Sequence, residues 1–268
     1  MERKSRNKTI CEFGISVSKK RLNEEHPTHW HAFYEIEYIL SGEGDYIIDG
    51  ICYPIRPGML FFMTPCNFHS VNARNCTVYN AMFSEELCES SFLSRMIGAG
   101  NVFETKEIPF YETLFSALTP LPADKFLVNH LFNGILGKVS ESIPPSRFSD
   151  PVTQGMLYLL NHFREKPSLT RVAEQVGYTP TYFSQLFREG TGETFQQYRD
   201  HLRFDYAKNL VQHSSLPASR ICFESGFNDY PNFLRRFRLR FGASPGELRN
   251  KTISQETPAS VGWKNPKK

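Results

Sequence analysis

The second half of the sequence contains an internal repeat. The pattern of the first copy, Val172-Ala173, Gly177-Tyr178, Phe183 and Phe187-Arg188, recurs as Ile221-Cys222, Gly226-Phe227, Phe233 and Phe237-Arg238. The phenylalanines of the two copies are 50 residues apart and the glycines are 49 apart, so the second turn has one inserted residue. Such a duplication predicts two copies of one supersecondary unit within residues 151–250.

Each copy is typical of a helix–turn–helix. A short helix ends at a glycine, the residue that most often closes a helix in the left-handed conformation. Residues that can cap the next helix follow, and a proline suits its first turn. The residues expected at these positions are Gly177, Thr179 and Pro180 in the first copy, and Gly226, Asn228 or Asp229, and Pro231 in the second.

The second helix of each unit has one apolar side and one polar side. Its two phenylalanines are four residues apart and must face the core. Four arginines between positions 235 and 240 could form an ordinary solvated face, but on a duplicated helix–turn–helix they favour DNA binding, where Arg reads guanine and Gln reads adenine. The outward residues are Thr181, Ser184, Gln185 and Arg188, and then Tyr230, Leu234, Arg235 and Arg238.

Charge is distributed unevenly along the 268 residues. Residues 1–150 carry a net charge of −4, residues 151–250 carry +4, and the last 18 residues carry +3. An acidic first half and a basic second half indicate two different tasks, with nucleic acid as the partner of the second. This distribution disfavours an architectural DNA protein that has no sensor.

Composition narrows the class of protein. Apolar residues make up 40% and charged residues 22%, which is typical of a globular chain. The longest apolar run, Met59–Met63, is far too short for a membrane span. The basic N-terminus is not followed by an apolar segment, so no secretory signal is expected. The six cysteines contain no C-x-x-C pair, which favours reduced thiols in the cytoplasm.

Residues 30–83 are expected to form short β-strands. Phe33–Leu40 is rich in aromatic and branched residues, and the strand is expected to stop at residues 41–44. Asp49-Gly50 between apolar runs predicts a tight hairpin, and Pro57-Gly58 predicts a turn before Met59–Met63. Val78–Phe83 could complete the set. Many short strands separated by turns predict a sandwich or small barrel.

After residue 110 the apolar period becomes helical. Residues 124–136 place Leu127, Leu131 and Ile135 on one stripe, with Val128 and Phe132 beside it. This helix could pack on its own β-domain or form a dimer seam. Residues 140–150 have the composition of a linker and mark the predicted domain boundary.

Histidines in the first half form a second motif. In one strand His29, His31 and Glu35 would point to the same face, and a neighbouring strand could add His69. Two imidazoles, a carboxylate and a third imidazole suit Zn, Fe, Mn or Ni. The alternative is that these side chains line a pocket or satisfy each other. The aromatic residues expected near an effector pocket are Trp30, Tyr38 and Tyr46.

Residues 177–192 and 226–249, together with the helix expected to join them (about 195–213), resemble the DNA-binding region of AraC-type transcriptional regulators. The resemblance implies two recognition helices in adjacent major-groove segments, and it carries base contacts to Thr181, Ser184, Gln185, Tyr230, Pro231, Leu234 and Arg235. Arg236, Arg238 and Arg240 are expected to add contacts to DNA. Pro231 and Leu234 depart from the pattern because they cannot donate hydrogen bonds, so shape and Arg235 should dominate there.

The histidine motif resembles the two cupin motifs, and AraC-type regulators commonly carry such a cupin as a sensor. Cys66 stands where the second motif usually has Gly, and Asn72 follows His69 one residue early. The expected fold is therefore α+β with two domains. A cupin-like barrel or sandwich with trailing helices spans residues 1–140 and a linker spans 141–150. An all-α domain with two helix–turn–helix units joined by a long helix spans 151–250, and a polar, disordered tail spans 251–268.

The expected function is a cytoplasmic, effector-controlled regulator, more often an activator by family resemblance, with a sugar as one candidate effector. Its expected partners are double-stranded promoter DNA, a small molecule, RNA polymerase and a second copy of the chain, with no membrane. The cofactor expected, if there is one, is a divalent transition metal at His29, His31, Glu35 and His69. The alternative is a metal-dependent cupin enzyme, an isomerase or dioxygenase, fused to a DNA-binding region.

Overall fold

The computed structural model describes residues 13–31, 33–65, 67–143, 150–165 and 167–256. The chain divides into two compact units, Met1–Leu202 and Arg203–Lys268. Residues 144–149 of the predicted linker and residues 257–268 of the predicted tail lie outside the described residues. No helix in the described part of the chain is long and apolar enough to cross a membrane.

The first unit begins with an antiparallel sheet. The two central strands of this sheet are long and pair with each other along most of their length. Each of them also pairs with two further strands, one toward each of its ends. The strands are β1 (Ile15–Leu22), β2 (Glu25–His29), β3 (Tyr34–Ile48), β4 (Ile51–Ile55), β5 (Met59–Met63), β6 (His69–Phe83) and β7 (Val102–Glu104). Their order in the sheet is β1-β6-β3-β5-β7, with β2 beside β6 and β4 beside β3.

The predicted break at residues 41–44 is wrong, because β3 continues through it with an irregular register against β6. Gly42 and Gly44 have positive φ angles of 99° and 141°. A Cβ atom on Gly42 would lie 2.4 Å from the Cα of Cys76, and one on Gly44 would lie 2.1 Å from the carbonyl oxygen of Asn72. The two glycines therefore let β6 pass close to a bent strand.

Both predicted turns are confirmed. Asp49 and Gly50 have φ angles of 50° and 84° between the paired residues Ile48 and Ile51, as a two-residue hairpin requires. Gly58, with a φ of 85°, precedes β5. Strands β1, β2 and β7 were not predicted from the sequence.

Three helices cover one face of the sheet: α1 (Ser90–Ala99), α2 (Ile108–Ala117) and α3 (Lys125–Glu141). Tyr34, Ile36 and Tyr38 alternate along β3 and enter the core formed with these helices. The predicted apolar stripe of α3 is displaced, because Leu127 is 44% exposed. The buried stripe consists of Val128, Phe132, Ile135, Leu136 and Val139.

The remaining helices carry the duplicated motif. The predicted succession of two helix–turn–helix units and a joining helix is present. The helices are α4 (Asp150–His162), α5 (Leu169–Gln175), α6 (Pro180–Thr191), α7 (Phe195–His213), α8 (Ala218–Glu224), α9 (Tyr230–Phe241) and α10 (Pro245–Glu256). The first unit ends within α7.

Candidate functional site

The first helix–turn–helix consists of α5 and α6, with Thr179 as the N-cap of α6. The Thr179 hydroxyl accepts a hydrogen bond from the backbone N–H of Tyr182 at 3.4 Å. Phe183 and Phe187 lie one turn apart on α6 and are fully buried, so the opposite side of the helix faces outward. That side lines an open groove, whose residues include the four predicted readers Thr181, Ser184, Gln185 and Arg188.

The second helix–turn–helix consists of α8 and α9. Of the two candidate N-caps, Asp229 fills the role, because its Oδ1 atom accepts a hydrogen bond from the backbone N–H of Asn232 at 3.0 Å. Phe233 and Phe237 are buried like their counterparts in the first copy. Among the predicted readers, Tyr230 and Leu234 are half-buried, and the exposed ones are Pro231, Arg235 and Arg238.

Arg236, which was expected to add a contact to DNA, is half-buried on α9. Its Cζ atom lies 5.1 Å from the centroid of the Phe204 ring, so the guanidinium packs on the aromatic core of the second unit. The repeat explains this position, because the equivalent residue Leu186 packs against the core of the first copy. Arg240 has an acidic partner, since its Nη2 atom lies 3.1 Å from Oδ1 of Asp205.

Two residues that the sequence analysis did not single out contact the predicted readers. Oε1 of Glu189 accepts a hydrogen bond from Nε2 of Gln185 at 2.8 Å. Oδ1 of Asn232 accepts one from Nη2 of Arg235 at 2.9 Å. Each pair is three or four residues apart on one helix, a spacing at which side chains meet, and this was the available sequence signal.

Three of the four predicted ligand residues converge in the β-sheet part of the first unit. Nε2 of His31 lies 2.7 Å from Oε2 of Glu35, and Nε2 of His69 lies 3.1 Å from the same oxygen. One ligand atom from each residue lies within 4.8 Å of the others, and all three side chains are buried. We call these three residues the polar cluster. His29 stands beside it, with its ring centroid 4.3 Å from that of His69.

The polar cluster is not assembled on a single strand. His29 is the last residue of β2, Glu35 lies near the start of β3, and His31 lies between the two strands. His69 begins β6, and its Cα atom pairs with both His29 and Ile48. Three of the four residues meet as predicted, but His29, His31 and Glu35 do not alternate along one strand as expected.

Both ring nitrogens of His31 face oxygen acceptors. Nδ1 lies 2.9 Å from the carbonyl oxygen of Phe33, and Nε2 lies 2.7 Å from the Glu35 carboxylate. Because a carbonyl oxygen can only accept, Nδ1 donates to Phe33, and Nε2 is the nitrogen that faces the Glu35 carboxylate.

The charges of the polar cluster shift two pKa values. Burial disfavours the ionised form of Glu35, but the charge and hydrogen bond of His31, and those of His69, outweigh it and hold the pKa of Glu35 well below its usual range. Burial also lowers the pKa of His69, although the nearby Glu35 opposes this. The carboxylate therefore stays ionised at neutral pH.

A second buried carboxylate extends the polar cluster. Nδ2 of Asn80 donates to Oε1 of Glu35 at 2.6 Å and to Oε1 of Glu37 at 2.8 Å, while Nζ of Lys20 donates to Oδ1 of Asn80 at 3.0 Å. Burial and the adjacent Glu35 charge raise the pKa of Glu37 to about 7. Within the described residues, Oε2 of Glu37 and Nδ1 of His69 are buried without a well-formed hydrogen bond. The Tyr46 side chain and the Asn67 backbone nevertheless lie close enough to influence the pKa of Glu37 and the pKa of His69, respectively.

Glu35 and Glu37 are two residues apart on β3, so their side chains lie on the same face of the sheet. This spacing was a sequence signal that could have identified Glu37. Asn80 had no such signal, because only the pairing of β3 with β6 places it opposite Glu37.

The three predicted pocket aromatics lie in different places. The Tyr46 ring stacks on Phe61 and has its centroid 6.2 Å from that of His69. Trp30 is buried next to His31 in the chain and lies 6.0 Å from the Phe68 ring. Tyr38 lies on the opposite face of β3, stacked on Phe115 of α2, and is not part of this region.

Comparison with known families matches both parts of the chain. Residues 14–119 match the model of the AraC-like ligand binding domain, and residues 172–251 match the model of a helix-turn-helix domain. The first match covers the sheet and the polar cluster, and the second covers both outward faces described above.

Among curated relatives, the uncharacterized HTH-type transcriptional regulator YfiF of Bacillus subtilis (strain 168) is 23% identical over 249 residues, which cover 83% of this chain and 78% of YfiF. The HTH-type transcriptional activator RhaS of Salmonella paratyphi A is 24% identical over 264 residues, which cover 88% of this chain and 91% of RhaS. Among solved structures, ToxT from Vibrio cholerae O395 is 14% identical with a TM-score of 0.43, covering 90% of this chain and 97% of ToxT.

Proposed function

Because the chain belongs to the AraC family of transcriptional regulators, we propose that it activates transcription in response to a small molecule bound at the polar cluster. The observation that carries this proposal is that two buried atoms, Nδ1 of His69 in the polar cluster and Oε2 of Glu37 near it, have no well-formed hydrogen bond to any of the described residues. Buried polar atoms are rarely left without partners, so a ligand that supplies hydrogen bonds here would be favoured.

Oε2 of Glu37 and Nδ1 of His69 indicate the chemistry of this ligand. If Nε2 of His69 donates its proton to Glu35, then Nδ1 carries a lone pair and accepts a hydrogen bond. Oε2 of Glu37 accepts one as well when the carboxyl is ionised. Two buried acceptors that are connected through Glu35 and Asn80 favour a ligand with several hydroxyl groups, such as a sugar or another polyol.

The DNA target follows from the two outward faces. Gln185 can form a donor–acceptor pair with adenine, and Arg235 can donate two hydrogen bonds to guanine. Leu234 suits the methyl group of thymine, and Arg188 and Arg238 suit bases or phosphates. We therefore propose that each helix–turn–helix reads its own short set of base pairs in promoter DNA.

The polar cluster also has the donor set for a divalent transition metal such as Zn, Ni, Mn or Fe. His31, Glu35 and His69 would be the ligands, and the Phe33 carbonyl already holds His31 in the orientation that a metal ligand needs. Ligands around a metal at about 2.0–2.1 Å lie roughly 3.3 Å apart, so the 2.7 Å separation of His31 and Glu35 would have to open slightly. A bound metal would supply a Lewis-acidic position for effector hydroxyls.

The relatives named above are transcriptional regulators, one of them an activator. We accordingly propose that the polar cluster binds its ligand without turnover, that the protein works in the cytoplasm as a homodimer, and that it recruits RNA polymerase. The alternative of a cupin enzyme would require metal-dependent consumption of a small molecule.

A panel of sugars and polyols, with small carboxylic acids of similar size for comparison, can be screened by the thermal shift of the full-length protein. We expect a polyol to raise Tm, and His69→Ala to abolish that shift. The same compound should switch a reporter promoter in the wild type and not in the variant. Stabilisation by acids alone would contradict the polyol, and consumption of the compound by purified protein would favour the enzyme.

A further inference from the structure

Helix α4 has two buried faces that belong to different cores of the first unit. Leu157 enters the core formed by the sheet and the helices α1 to α3. Val152, Met156 and Leu159 pack instead in the core of the first helix–turn–helix, with Phe183 and Phe187 of α6. A displacement of α4 must therefore disturb both cores, because packed interiors transmit strain.

The contact between α4 and α6 is close. A Cβ atom at Gly155 would lie 2.7 Å from the Phe183 ring and 3.2 Å from the Phe187 ring. These rings form the buried side of the helix whose outward side carries Thr181, Ser184, Gln185 and Arg188. The orientation of α6 is thus set directly against α4.

The C-terminal end of α4 contacts residues adjacent to the polar cluster. Nδ2 of Asn161 donates to the Tyr34 hydroxyl at 3.3 Å and also to Oε2 of Glu85. Two residues beyond the helix, Cζ of Arg164 lies 5.5 Å from the centroid of the Trp30 ring.

These contacts reach the polar cluster through the backbone. Trp30 immediately precedes His31, and Tyr34 immediately precedes Glu35. The ring of Phe33, between them, is stacked on His31 with centroids 4.0 Å apart. Phe33 and Tyr34 also line a cavity of about 170 Å³, together with Pro65, residues 84–86 and residues 160–165. A movement of Trp30 or Tyr34 would therefore change their contacts with Asn161 and Arg164, and the cavity leaves space for such a movement.

We propose that α4 is the transmission element of the regulator: a change at the polar cluster moves Trp30 and Tyr34 against Arg164 and Asn161, and α4 passes the shift to recognition helix α6. This inference rests on the function proposed above and names the residues that couple its two sites. Arg164 acts as a positioning residue and touches neither ligand nor DNA in this mechanism. Coupling of this kind is a free energy shared by two sites, so it can be measured from either end.

The test uses full-length protein and the duplex that it enriches from a random DNA library. Glu35→Gln changes the charge of the polar cluster and should alter Kd for this duplex by about fivefold or more, the lower end of allosteric coupling. In an Arg164→Met background the same substitution should change Kd less than about twofold. Arg56→Met removes an equal charge from an exposed ion pair with Glu104 and should preserve the full effect.

A second measurement avoids changing the polar cluster. The sequence has two tryptophans, so Trp263→Phe leaves Trp30 as the reporter. Addition of the duplex should change Trp30 emission, and Arg164→Met should remove the change while the duplex is still bound.

The role of α4 in transmission would be overturned if Glu35→Gln changed Kd equally in all backgrounds, or if Trp30 emission did not change when the duplex was added. Either result would leave the proposed function intact. Failure to enrich any duplex would instead overturn the proposed function and this inference with it.

Discussion

Nε2 of His31 lies 2.7 Å from Oε2 of Glu35, and the two side chains are only 1% and 8% exposed. Removing one partner of a buried ion pair typically costs about 3–5 kcal/mol. Without His31 the buried Glu35 carboxylate would keep only His69 and Asn80 as partners. We therefore expect His31→Ala to lower the free energy of unfolding of the sheet by that amount in urea titrations. Adding Glu35→Gln to His31→Ala should recover part of the loss.

Lys138 provides the comparison for this prediction. It lies 3.2 Å from Glu107 and 3.1 Å from Glu141, both well exposed, and exposed ion pairs contribute about 0–1 kcal/mol. Lys138→Ala should therefore change stability by less than about 1 kcal/mol. A comparable loss in both variants would mean that the His31–Glu35 pair is hydrated in solution.

Glu37 makes the stability of the protein depend on pH. Its pKa rises from 4.5 to about 7 on folding, so the folded state binds the proton more tightly. Proton binding by Glu37 therefore stabilises the folded state. This stabilisation is fully present at pH values below the pKa of Glu37 in the unfolded state, and it is lost as the pH rises through the pKa of Glu37 in the folded state. In the presence of a chelator, Glu37→Gln should raise Tm relative to the wild type at about pH 8 and leave it nearly unchanged at about pH 5. Equal changes in Tm at the two pH values would show that Glu37 is ionised throughout this range and would contradict the prediction.

Gly155 tests the packing of α4 on α6. In an exposed helix position Gly→Ala stabilises by up to about 1 kcal/mol, but here the new methyl group would meet the Phe183 ring at 2.7 Å. We expect the cost of overpacking to exceed the gain in helix propensity, so that Gly155→Ala destabilises the protein by about 1–3 kcal/mol. Gly134→Ala on α3 is the matched control, because its nearest neighbour is Leu114 at an ordinary 3.6 Å.

Arg235 tests the assignment of the outward face of α9. Arg235→Ala should reduce discrimination between specific and mismatched duplexes by about 1–3 kcal/mol, the value of one bidentate base contact. Arg240→Ala should instead weaken binding to all duplexes about equally, because Arg240 lies beyond the base-reading turn and pairs with Asp205. An unchanged specificity ratio in Arg235→Ala would place base readout on another face.

The local patterns of the sequence predicted much of this architecture. The repeat located both helix–turn–helix units, because the Phe183–Phe187 spacing and its copy dictate one buried side of each helix. The packing of Arg236 was not predicted. Its charge suggested exposure to solvent, although its position in the repeat is that of Leu186, which packs against the core of the first copy. A charged side chain can pack on aromatic rings, and composition alone does not reveal this.

The β-sheet was harder to predict because its contacts join distant segments. Gly42 and Gly44 indicate a turn when read locally, yet they serve the close passage of β6. Asn80 contacts the polar cluster only because the pairing of β3 with β6 places it opposite Glu37. Register depends on the assembled sheet, so no window of neighbouring residues contains it.

The most direct test of the account is selection of duplex DNA by the full-length protein from a random library, followed by Kd measurements across a salt series. We predict enrichment of two short sets of specified bases, one for each helix–turn–helix, and a Kd that weakens steeply with salt because phosphate contacts release counterions. The polyol that raises Tm should then shift Kd for the selected duplex. Enrichment of no sequence, or binding that ignores salt over a tenfold range, would contradict the account.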